Sequence, residues 1–125
     1  MLLKFAFQDF LDDRRFKNTT KTNIRNYQTL LGEFINYCID NEVVNVEDIN
    51  YSHIKQYLWE CQEKGNQLGT INTKLMRIRV FLNYMVECEV INKNPAGMVK
   101  RQKEDVDINV FSDEKITNVE LLQKY

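Results

Sequence analysis

One proline, four glycines and one histidine stand among 125 residues. So little turn-forming material leaves room for few tight reversals, and helices are the first expectation. The glycines (Gly32, Gly65, Gly69 and Gly97) are scattered and form no phosphate-cradling loop. No apolar run approaches the roughly 18 residues that a membrane span needs. The opening stretch, MLLKFAFQDFLDD, turns acidic quickly and has no basic region ahead of a long apolar one. It makes a poor secretory signal, and a cytoplasmic protein is expected.

Cysteine is sparse and odd in number: Cys38, Cys61 and Cys88, with no CxxC pair. A structural zinc site needs about four ligands, and His53 is the sole imidazole, so no metal is expected. Each cysteine falls near an apolar face, which predicts buried reduced thiols. No nucleophile elbow, Walker loop, HExxH motif or calcium loop is present. His53 has no visible partner for acid–base work, and the tyrosines sit at positions suited to packing. The carboxylates are dispersed. A small enzyme is the weakest reading, and no cofactor is implied.

What is present is a patterned charge. The formal net charge is −1, which by itself argues against nucleic acid. Its distribution argues otherwise. Arg14, Arg15, Lys17, Lys21 and Arg25 fall in a stretch with no acid between Arg14 and Gly32. Residues Cys38–Glu63 reverse the sign with Asp40, Glu42, Glu47, Asp48, Glu60 and Glu63 against Lys55. Lys64–Val86 is again free of acid, and Lys93, Lys100, Arg101 and Lys103 come after it.

Hydrophobic periodicity places helices beneath these charges. Leu3, Phe7, Phe10 and Leu11 share one face of a first helix over Leu2–Phe16, and Lys17-Asn18-Thr19-Thr20 breaks it. A second runs from about Thr20 to Asn41 on a stripe of Ile24, Tyr27, Leu31, Phe34, Ile35 and Cys38. Asn45–Asp48 reads as a turn. Ser52 reads as the cap of a third helix, with Ile54, Tyr57, Leu58 and Cys61 inward and Gly65 ending it in the left-handed conformation. The fourth helix, opening at Thr70, carries Ile71, Leu75, Ile78, Leu82 and Met85 as its stripe and is stopped by Asn94-Pro95. Residues Glu104–Asn109 read as a polar linker, and Phe111-Ser112-Asp113-Glu114 as a fresh helix start. The fold class expected is all-α: one domain, a compact bundle of four to five helices.

Off its stripe the fourth helix shows Asn72, Thr73, Lys74, Arg77 and Arg79. The second shows Thr20, Lys21, Asn23 and Arg25. Lysine and arginine neutralise phosphates, asparagine and arginine bond base edges, and a helix N-terminus adds backbone donors. If the two starts lie side by side and face outward, a nearly neutral protein acquires a DNA-gripping face. The plainer reading is that cationic helix faces are solvated and the bundle binds protein, through the incompletely covered face of Leu2–Phe16.

Four pieces in this order resemble the N-terminal core-binding (SAM-like) domain of tyrosine recombinases, the phage-integrase family. They are NIRNYQTLLGEF at 23–34, VEDINYSHIKQYL at 46–58, TINTKLMRIRVFLNYMVECEVINKNPA at 70–96, and VFSDEKI at 110–116. Asn23 stands where threonine is commoner in the family, and Met76 and Arg77 where smaller residues are common. The resemblance implies a core-binding domain over 1–103, an interdomain linker over 104–110, and the start of a truncated catalytic domain over 111–125. It implies double-stranded DNA as partner, with two helices crossing the major groove, and other protomers in a synaptic tetramer. The contacts it points to are Thr20, Lys21, Asn23, Arg25, Asn72, Thr73, Lys74, Arg77 and Arg79, with Lys100, Arg101 and Lys103 tracking phosphates. Arg79 has a second reading, as a brace of the bundle through its aliphatic stem. Catalytic groups would lie in the domain beyond, so this chain binds without cleaving. The parent would break and rejoin DNA to integrate or excise a mobile element.

Overall fold

A computed structural model of the chain describes residues 1–100. Arg101, Lys103, the linker expected at 104–110 and the catalytic-domain start expected at 111–125 lie outside the described residues. Five α-helices make up the bundle: α1 (Leu3–Phe16), α2 (Lys21–Asn26), α3 (Gly32–Asp40), α4 (Tyr51–Glu63) and α5 (Leu68–Glu87). Two 3-10 turns, Val46–Asp48 and Pro95–Met98, complete them. The all-α expectation holds.

α2 and α3 are one rod in sequence terms, joined by a π-helical turn at Tyr27–Leu31. Such a turn widens the winding to i→i+5 and accommodates an extra residue without breaking the helix. Thr20 caps the rod, its Oγ1 accepting the Asn23 N–H at 3.2 Å. Asn18, at φ +59°, makes the corner between α1 and α2.

The hydrophobic stripes pack as the periodicity predicts. Leu3, Phe10, Leu31, Phe34, Ile54, Ile71, Ile78 and Leu82 are essentially sealed from solvent. Phe10 is the hub, meeting Tyr27, Phe81 and Tyr84 edge-on at 5.1–5.6 Å between ring centres. Edge-to-face pairs add about 0.5–1.5 kcal/mol each beyond their buried area. The N-terminus is tied down as well. Leu2 bridges Asn45 in antiparallel fashion, and the Met1 ammonium donates to Glu47 at 2.7 Å.

Several boundaries differ from the sequence reading. Asn50, not Ser52, caps α4, in a capping box closed by His53: Asn50 Oδ1 accepts the His53 N–H, and His53 Nδ1 accepts the Asn50 N–H. The lone histidine is thereby accounted for. α5 starts at Leu68, two residues before Thr70. It ends at Glu87, well short of Pro95, because Glu89 takes a left-handed φ of +62° and turns the chain. Asn94-Pro95 instead opens the last 3-10 turn, with Asn94 Oδ1 accepting the Ala96 N–H. Gly65 does end α4, at φ +98°. Of the thiols, Cys38 and Cys61 are buried but Cys88 is exposed, against the expectation that all three would be interior. Burial pushes the Cys38 thiol up to about 12, far from a reactive thiolate.

Candidate nucleic-acid interface

On α2 the expected residues are where a ligand could reach them. Thr20, Lys21, Asn23 and Arg25 are all exposed. They occupy the cap and first turns of a helix whose N-terminal end contains no acid. Lys100, at the end of the described chain, is exposed too.

α5 departs from expectation. Thr73 is exposed and Arg77 half-buried, but Asn72 and Lys74 are each only 6 % exposed. Thr73 Oγ1 donates back to the Gly69 carbonyl at 2.9 Å. Lys74 is a correction. Its ammonium points inward, donating to Glu33 at 2.6 Å and Asn66 Oδ1 at 2.7 Å, 3.5 Å from Cys61 Sγ and above the Tyr57 ring. Periodicity alone placed it off the apolar stripe. Glu33, 41 positions earlier, supplies the counter-charge that stabilises the inward rotamer.

The charges of this pair reflect their surroundings. Partial burial would raise the Glu33 pKa, but hydrogen bonds from Lys74 and Tyr57 and the positive charges of Lys74 and Lys64 hold it below its ordinary value. Burial would lower the Lys74 pKa, yet Glu33 and Cys61 together hold it above. Both groups are therefore charged at neutral pH. The cleft they line, about 310 Å³, also receives Asn36, Tyr37, Asp40 and Lys64.

Arg79 is likewise engaged. Its Nε donates to the Ala96 carbonyl at 3.3 Å and a terminal nitrogen donates to the Val99 carbonyl, pinning the last 3-10 turn to α5. The bracing reading of this residue is the one its contacts match, with the guanidinium rather than the stem as the brace. Arg77 lies over the Tyr27 ring, 4.5 Å from its centre, and its Nε is buried against that ring without an acceptor.

These contacts also fix the relation of the two helices. Lys74 meets Glu33 while Arg77, further along α5, meets Tyr27, earlier in the α2–α3 rod. α5 thus packs against the rod with Lys74 beside Glu33 and Arg77 over Tyr27. The expectation that Lys21 and Lys74 both face outward is corrected for Lys74, which is turned into the bundle. The accessible cations of this pair are Lys21 and Arg25 on α2, with Arg77 at mid-height between the helices.

Among the described residues no group of three or more His, Cys, Asp or Glu could hold a metal ion, and no helix is long and apolar enough to cross a membrane.

Known proteins bear on this arrangement. The crystal structure of the N-terminal domain of a phage integrase/site-specific recombinase from Haloarcula marismortui superimposes with a TM-score of 0.75, covering 82 % of this chain and 97 % of that one at 13 % identity. The fold is thus shared. Tyrosine recombinase XerC of Bacillus licheniformis is 28 % identical over 99 residues, covering 79 % of this chain and 33 % of that protein. XerC of Psychromonas ingrahamii is 26 % identical over 110 residues, covering 86 % and 37 %. The chain spans about a third of the length of these curated relatives. The family model described as the phage integrase SAM-like domain matches residues 2–103, and on that match the chain belongs to this family.

Proposed function

We propose that this chain is the DNA-binding, core-binding domain of a tyrosine-type site-specific recombinase, and that it holds duplex DNA chiefly through α2. The observation that carries the reading is the exposed, acid-free start of that helix, Thr20, Lys21, Asn23 and Arg25, in a member of an integrase domain family. A major groove about 12 Å wide admits a helix. Lys21 and Arg25 can each neutralise a phosphate, and Asn23 and Arg25 have the two-pronged geometry that reads base edges. Because Thr20 Oγ1 already accepts the Asn23 N–H, its hydroxyl hydrogen is left to donate to a phosphate oxygen. Thr73 and Arg77 would meet the same duplex from α5, and Lys100 and Arg101 would neutralise phosphates of its backbone.

In this proposal the domain is residues 1–103, residues 104–110 are the interdomain linker, and residues 111–125 begin a catalytic domain. The parent would break and rejoin DNA, integrating or excising a mobile element with other protomers in a synaptic tetramer. The present chain would bind without cutting.

The test is duplex binding measured by fluorescence anisotropy across a salt series. Lys21→Glu with Arg25→Glu should weaken affinity more than tenfold. It should also flatten the log–log salt slope by about 1.8, two phosphates at about 0.9 each. Unchanged affinity, or no salt dependence in the parent chain, removes the proposal.

A second reading, a helical protein-interaction bundle, draws on α1, where Phe5 is 59 % and Phe16 85 % exposed. Self-association that rises with concentration, without DNA affinity, would favour it.

A further inference from the structure

The largest aromatic side chain of the domain is on the surface. Trp59, the sole tryptophan of the chain, is 55 % exposed. A lone exposed tryptophan needs no explanation, but this one is not alone. Tyr51, Lys55 and Trp59 succeed one another at four-residue steps along α4, so they share a flank of the helix. Tyr51 is also exposed, and the Lys55 ammonium lies 5.0 Å from the centre of its ring. Opposite them stand Asn72 of α5 and the exposed Met98 and Lys100, and between the two sides is a groove of about 370 Å³. None of the described residues lining it is acidic.

We propose that this groove is a second nucleic-acid site, one that takes unpaired bases of a single DNA strand. Tyr51 and Trp59 would stack the bases, and Lys55 and Lys100 would meet the phosphates. Three considerations select this occupant. The two cations without an acid call for an anionic ligand, and the two exposed rings call for one with flat faces. A backbone with bases supplies both. Lysine is depleted from the cores of protein–protein interfaces, whereas a strand-tracking groove depends on it. A duplex offers no free base face to a ring in a groove, because each base is already covered by its neighbours, so the strand must be locally unpaired. The dimensions agree. Tyr51 and Trp59 are eight residues apart, about 12 Å along the axis, which spans roughly three bases at 3.4 Å spacing.

The groove shares Lys100 with the proposed duplex contacts but none of the α2 residues, and the experiment, which varies α2 and α4, keeps the two sites apart. The full 125-residue chain is titrated with an eight-nucleotide oligothymidylate while the emission of Trp59 is monitored. Emission should fall by half or more at saturation, with a log–log salt slope near −1.4, two phosphates at about 0.7 each. Tyr51→Ala and Lys55→Glu should each weaken binding about tenfold. Both residues are exposed, and unchanged circular dichroism would show that the bundle is intact. Lys21→Glu with Arg25→Glu should leave this titration unaltered whatever it does to duplex binding. The proposal is overturned if emission does not change, if an eight-base-pair duplex or base-free heparin acts equally well, or if Tyr51→Ala and Lys55→Glu bind as the parent does. A concentration-dependent emission change without any DNA also overturns it, since the groove would then be a protein interface.

Discussion

Lys74 offers the sharpest test of how this bundle uses its charges. Its side chain is 7 % exposed, while the Glu33 side chain that pairs with it is 55 % exposed. The two ends of the pair are therefore unequal. Glu33→Gln leaves a cation indoors with the Asn66 oxygen but no counter-charge. Breaking a fully buried pair from one side costs about 3–5 kcal/mol. Because the Glu33 end reaches water, screening reduces that to roughly 1–2 kcal/mol. Lys74→Met does the reverse. It fills the same volume with an apolar chain and leaves a carboxylate that solvent and the Tyr57 hydroxyl already stabilise, so stability should change by less than about 1 kcal/mol. The double variant should recover most of what Glu33→Gln loses. Urea or thermal unfolding reads this directly, since each kcal/mol moves the midpoint of a domain this size by about 4–8 °C. The same Lys74→Met protein should bind duplex DNA as the parent does. If Lys74→Met is the more damaging substitution, or if it weakens DNA binding tenfold, the inward placement of this lysine is the wrong account.

The pH response of the same pair is a second check. The folded-state pKa of Glu33 lies below its ordinary value of 4.5, so its contribution is complete above that pH and is lost as pH falls through the folded value. Lys74 lies above its ordinary 10.5, so its share is complete below that pH and is lost as pH rises through the folded value. Stability measured across pH should show both limbs, and Glu33→Gln should shrink the acid one, the share of Glu47 beside the N-terminal ammonium remaining. Arg79→Ala should cost about 1.5–3 kcal/mol through two lost charged hydrogen bonds and speed amide exchange at Gly97 and Val99; unaltered exchange would show that the brace is idle. Phe10→Ala, at the hub of three edge-on ring contacts, should cost about 3–5 kcal/mol, and a loss below 1 kcal/mol would contradict the packing.

Helix number and inward faces were legible because periodicity records burial. Ile71, Leu75, Ile78, Leu82 and Met85 repeat at helical spacing and all are buried. Polar placement was less legible, because it depends on partners far along the chain. Lys74 reads as a surface cation until Glu33 and Asn66 are brought beside it. Arg79 reads as an open cation until the Ala96 and Val99 carbonyls fold back under it. Which residues of α5 meet the α2–α3 rod was not legible at all, since two amphipathic stripes can pack in more than one way and only the cross-helix pairs decide. One signal for Lys74 was available: it is three positions after buried Ile71 and four before buried Ile78, so it borders the stripe. The α4 cap was also within reach, because Asn50 precedes His53 by the three residues that a capping box requires.

The widened turn at Tyr27–Leu31 gives the domain a phase setting. It lies between the anchored half of the rod, which carries Glu33 and Phe34, and the half that displays Lys21 and Arg25. Removing one residue there would let the rod rewind to ordinary pitch with both halves near their present phase; removing one from the ordinary helix beside it would swing the cationic half by about 100° around its own axis. Every side chain proposed to touch DNA would still be present, aimed at a different quarter of the solvent.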